Sequence, residues 1–84
     1  MPRIILRPDN LAAIQQELKK RRNVDFNTSN EEAVFSMLKY WCREAAKGQA
    51  DVESVSHKED RFLVSGNTDF FTSLRAVLEA RPGG

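Results

Sequence analysis

Apolar and polar positions alternate from Arg3 to Arg7, with Ile4 and Leu6 on one face and Arg3, Ile5 and Arg7 on the other. Pro8, which has no amide to donate, closes this segment as a short strand. The period then lengthens. Leu11, Ile14 and Leu18 recur at helical spacing after a capping Asp9 or Asn10, and Lys19-Lys20-Arg21-Arg22 ends the run where a helix dipole favours positive charge. The spacing predicts a first helix from about Asn10 to Arg22.

Asn23 to Asn27 is a loop by composition. Ser29, followed three residues later by Glu32, fits a capping box, and Val34, Met37, Leu38, Trp41 and Ala45 line one face of a second helix that fades at Ala46-Lys47-Gly48. Phe35, Tyr40 and Cys42 widen that face beyond what one flat contact needs, so this helix is expected to be central or buried at a subunit interface. Val52 to His57 and Arg61 to Ser65 read as strands around the charged turn Lys58-Glu59-Asp60. Asn67 or Thr68 caps a last helix carrying Phe70, Phe71, Leu74, Val77 and Leu78, and residues 81–84 read as a flexible tail. The order strand, helix, helix, strand, strand, helix predicts an α+β fold, a small antiparallel sheet packed with three helices, as one domain over residues 1–84.

Composition adds a constraint on stability. With 84 residues, 40% hydrophobic and 30% charged, the chain supports one globular core and is too apolar to stay disordered. A chain this short buries only about 60–65% of its unfolded surface. Cys42 has no partner for an internal disulfide, and His57 as the single histidine leaves no zinc-like spacing, so self-association is the expected support and a homodimer the expected state. No apolar stretch approaches the roughly 18 residues of a membrane span, and the N-terminus lacks the apolar core of a secretory signal. With an unpaired cysteine, this points to the cytoplasm.

Catalytic chemistry is sparse. His57 beside a charged turn reads as a solvated histidine, Cys42 on the apolar side of its helix as a packing residue, and Trp41 as core. The four glycines are scattered and make no phosphate-cradling loop. The expectation is a non-enzymatic, macromolecule-binding domain without metal or cofactor. Lys19, Lys20, Arg21 and Arg22 form the densest positive run, and with Arg3 and Arg7 they could neutralise phosphates; the same run also suits a helix C-terminus with no ligand. The net charge of +1 gives no global pull toward nucleic acid.

The segments Arg3-Ile4-Ile5-Leu6-Arg7-Pro8-Asp9-Asn10-Leu11 and Thr28-Ser29-Asn30-Glu31-Glu32-Ala33-Val34 resemble the ribbon-helix-helix family of DNA-binding repressors. The resemblance covers the first half of the chain. It implies two chains pairing their first strands into a ribbon for the major groove, with Arg3, Ile5 and Arg7 toward the bases and Ser29 with the Asn30 amide at a backbone phosphate. Two functions follow as expectations. One is a protein-binding adaptor or inhibitor acting as a small homodimer, which the near-neutral charge favours. The other is a DNA-binding transcriptional regulator using the N-terminal strand, which the strand-first layout favours.

Overall fold

The structure, a computed structural model, describes residues 3–24, 26–46 and 48–79; the tail 81–84 lies outside the described residues. The elements are β1 (Arg3–Leu6), α1 (Pro8–Arg22), α2 (Glu31–Glu44), β2 (Val52–Lys58), β3 (Arg61–Gly66) and α3 (Thr68–Glu79). This is the α+β order expected from the sequence, a three-stranded antiparallel sheet with three helices. Among the described residues no helix is long and apolar enough to cross a membrane.

The strands lie in the order β1-β3-β2, so β3 is central and pairs with both others. Ile4 faces Val64 and Leu6 faces Phe62 across the β1–β3 seam, while Val55 and His57 face the same two β3 residues from β2. These rows form the helix-covered side of the sheet. Leu6 and Val64 are fully buried there with Leu11, Ile14 and Leu18 of α1, Val34, Met37, Leu38 and Trp41 of α2, and Phe70 and Leu74 of α3. A strict two-residue alternation cannot bury both Val52 and Val55. The ladder solves this with a register shift between Val52 and Ser54: Val52 pairs with Gly66 and Ser54 with Ser65, and the extra residue, Glu53, lets Val52 turn into the core.

Helix boundaries differ from the sequence reading by a residue or two at the caps. Helix α1 starts at Pro8, since a proline at the first helical position gives up an amide that has no helical partner anyway. Asn10 lies inside the helix, and its Oδ1 accepts the Arg7 amide at 2.9 Å. Asn23 ends the helix in a left-handed conformation (φ 53°), which asparagine tolerates. For α2 the cap is Asn30 instead of Ser29: the Asn30 Oδ1 accepts the Ala33 amide at 2.9 Å, while the Ser29 amide donates to Asn27 Oδ1. Glu32 therefore sits in the first turn as a charge complement to the helix dipole.

The wide apolar face of α2 is covered within the chain. Phe26 from the preceding loop packs on Tyr40 with ring centroids 5.4 Å apart, Arg43 lies over Tyr40, and Lys39 lies over Phe35. Cys42 is buried, as a packing residue should be, and burial, with a smaller contribution from the Asp51 carboxylate, pushes its thiol up from 9.0 to about 11. At about pH 8 the thiolate fraction is then about a hundredfold below that of an ordinary cysteine. The native protein should therefore resist iodoacetamide under conditions that alkylate the urea-unfolded chain completely, as read by intact mass. Equal rates in the two states would place Cys42 at the surface.

Asn67 joins the last helix to the loop before β2. Its Oδ1 accepts the Phe70 and Asp51 amides at 2.9 and 3.1 Å, its Nδ2 donates to Gln49 O at 2.7 Å, and its own amide donates to Asp51 O. One side chain thus caps α3 and fixes the path into β2.

Candidate interaction surface on the open sheet

The helices cover one face of the sheet, and the other face carries the residues of opposite parity. Arg3, Ser65 and Ser54 form one row, Ile5, Leu63 and Ser56 the next, and Arg61 with Lys58 a third. Arg7 continues the alternation one residue past β1, in extended backbone (φ −97°, ψ 168°), at the Arg61 end of the sheet. Ile5 is 48% exposed and stands out among the described residues as the exposed large hydrophobic one. A shallow hollow of about 320 Å³ opens on this face between Arg3, Glu53, Ser54, Ser56, Leu63 and Ser65.

Charge on this face is uneven. Arg3, Arg7, Lys58 and Arg61 stand against Glu53, with Glu59 and Asp60 at the rim; Asp60 lies 3.6 Å from Arg61 Nε and offsets part of its charge. The chain as a whole carries only +1. Four basic side chains lie on the face itself with Glu53, while the other two acids stand at its rim.

The outer edge of β1 is the second feature of this region. Because β1 ends the strand order, its backbone is paired to β3 on one side, and among the described residues no strand pairs with the other. Beneath that edge a groove of about 820 Å³ runs between β1 and α3. Ile4, Phe71 and Leu78, each half-buried, form its apolar floor, and Arg3, Arg75 and Glu79 stand at its mouth. An exposed edge beside an apolar groove presents backbone donors and acceptors together with side-chain pockets, the two things an added strand uses.

The structure separates the sequence-derived site residues into three places. Arg3 and Ile5 share the open face, as the alternation in β1 predicts, and Arg7 follows as an exposed residue just past the strand. Lys19, Lys20 and Arg21 lie exposed in the last turn of α1; the Arg22 side chain lies outside the described residues. Arg7 caps the other end of that helix, about 22 Å away for 15 residues, so the two basic groups do not form one patch. Arg21 is held by Glu17 at 3.3 Å, at the mouth of a cleft between the helices lined by Trp41, Ala45 and Val77.

Ser29 and Asn30 lie at the start of α2, where the Ser29 amide donates to Asn27 Oδ1. Asn30 holds the Ala33 amide, and Glu31 accepts the His57 amide at 2.8 Å. An anion entering this hollow would meet Glu31 and Glu32. The His57 ring, exposed as expected, stacks on Phe62 with centroids 4.2 Å apart and planes 8° from parallel.

Lys58 and Arg61 were not among the residues the sequence singled out. They join Arg3 only through the strand order, which brings residues from opposite ends of the chain onto one face. Compared with the models of known families, with curated proteins and with solved structures, the chain matches none of them.

Proposed function

We propose that this domain is a non-enzymatic protein-binding module that docks a partner by extending its sheet at β1. The observation that carries this reading is the unpaired outer edge of β1 lying directly over the apolar groove of Ile4, Phe71 and Leu78. Main-chain hydrogen bonds along the edge would supply affinity, and alternate side chains entering the groove would supply selectivity. Natural sheets usually cover or blunt such an edge. Here Arg3 and Arg7 flank it and discourage indiscriminate pairing.

Ala76 provides the test, because it is exposed and lines the groove without entering the core. Ala76→Arg should fill the groove, keep the far-ultraviolet circular dichroism and thermal midpoint of the parent, and abolish partner binding in pull-downs made with both proteins side by side. A partner retained equally by the variant would move the docking surface elsewhere.

The basic face also gives the DNA-binding reading a specific observation to stand on, in Arg3, Arg7, Lys58 and Arg61. Two β1 strands joined as a ribbon would, however, carry β3 and β2 on each side. Six strands at about 4.8 Å spacing make a sheet about 24 Å wide, against a major groove of about 12 Å. Such a sheet would lie across a duplex and could not enter it. Size exclusion with light scattering, alone and with mixed-sequence duplex at low and physiological salt, separates the readings: a salt-dependent shift onto DNA would favour the regulator.

A further inference from the structure

Resting on the sheet-extension reading, we infer that the segment docking on β1 is an extended strand of a partner protein in which two acidic residues bracket three apolar or β-branched ones. In an added strand, residues opposite Arg3 and Ile5, and opposite Arg7 one position past the strand, project onto the open face; the residue opposite Ile4 projects toward the groove, and the one opposite Leu6 toward the same helix-covered side. Arg3 and Arg7 lie four positions apart, so the complement of Arg-Ile-Ile-Leu-Arg is acid, apolar, apolar, apolar, acid. The pattern reads the same in both directions and so serves a parallel or an antiparallel partner.

The same charges argue against a second copy of this chain as the occupant. Pairing the extended segment from Arg3 to Arg7 with itself centres on Ile5 and sets Arg3 opposite Arg7 twice, where like charges destabilise. Centring on Leu6 places Pro8, the first residue of α1, in the ladder, and centring on Ile4 runs past the start of β1, so each leaves three residues paired. Arg75 and Glu79 at the groove mouth can serve either partner; Arg3 and Arg7 cannot.

The experiment uses fluorescein-labelled peptides containing Glu-Val-Thr-Val-Glu, Gln-Val-Thr-Val-Gln or Lys-Val-Thr-Val-Lys, read by fluorescence anisotropy against the whole protein. The glutamate peptide should bind most tightly, with a preference over the glutamine peptide of roughly fivefold or more, the scale that a few cross-strand charge pairs supply. Its binding should vanish in Ala76→Arg. The double variant Arg3→Glu, Arg7→Glu, altered only at exposed positions, should reverse the order and prefer the lysine peptide. Equal binding of the glutamate and glutamine peptides, lost in Ala76→Arg, would overturn the charge pattern and leave sheet extension standing. Binding of none of the peptides would overturn the inferred motif; a dimer in light scattering that Ala76→Arg dissociates would then assign the edge to a second copy, and duplex DNA bound through Arg3 and Arg7 would remove both readings.

Discussion

Replacing Trp41 with alanine is expected to destabilise the domain by about 3–5 kcal/mol. A domain of this length has a total stability of about 4–13 kcal/mol, so the variant should lose at least about a quarter of it, seen as a large drop in the urea midpoint. Trp41 is 1% exposed, packs edge-on against Phe70 with centroids 5.8 Å apart, and lies among the three helices, so its removal empties the centre of the core. Phenylalanine at the same position should behave quite differently. The indole Nε1 is buried without a hydrogen-bond partner, a penalty of about 1–3 kcal/mol that phenylalanine removes. The lost ring area and the relieved donor oppose each other, and Trp41→Phe should stay within about 1 kcal/mol of the parent by those same terms. Urea unfolding followed by circular dichroism measures both, because the chain has a single tryptophan and fluorescence disappears with it. A Trp41→Ala protein unfolding at the parental midpoint would refute the central placement of this ring.

The second large effect is expected at Gly66, the buried last residue of β3. A methyl group there would lie 2.6 Å from Phe70 Cδ2 and 2.8 Å from the Asp51 carbonyl oxygen. Phe70 cannot swing aside, since it is fully buried and lies against Trp41 and Phe71. The Asp51 oxygen belongs to the backbone and is tied to the Asn67 amide at 3.1 Å. Gly66→Ala should therefore cost about 3 kcal/mol, at the upper end of overpacking. A lower urea midpoint with an unchanged slope is the expected readout; an unchanged midpoint would mean that the β3–α3 corner gives way freely.

The element order and the main core residues were legible because each rests on local periodicity. Ile4 and Leu6 alternate with Arg3 and Ile5, and Leu11, Ile14 and Leu18 repeat at helical spacing, whatever the rest of the chain does. The α2 cap was displaced by one residue because Ser29 and Asn30 are both good capping residues and the choice depends on where the preceding loop delivers the backbone. The irregularity at Glu53 was hidden for a related reason: Val52 and Val55 are out of phase, and only the pairing with β3 reveals which residue is extra. The basic face was half legible. Arg3 and Arg7 announce themselves in β1, but Lys58 and Arg61 read as an ordinary charged turn until the order β1-β3-β2 sets them on the same side. Phe71 and Leu78 likewise read as the core of an amphipathic helix and prove to be half-buried, because the sheet ends above them.

The pairing of Arg3 with Ser65 ties the start of the chain to its last strand. The β2–β3 hairpin needs only the two-residue turn Glu59-Asp60 to form, whereas seating β1 closes a loop from Leu6 to Phe62, about two thirds of the sequence. The chain entropy of a closure that long is about 3.6 kcal/mol before any contact is credited, and a strand of four residues has few contacts with which to offset it. The β1 seam is therefore the costlier of the two seams to close, and whatever pairs with its outer edge also holds its inner one. Occupancy and fold stability are linked by mass action at this seam, so a bound strand would raise the unfolding free energy of the whole domain in proportion to the logarithm of its concentration.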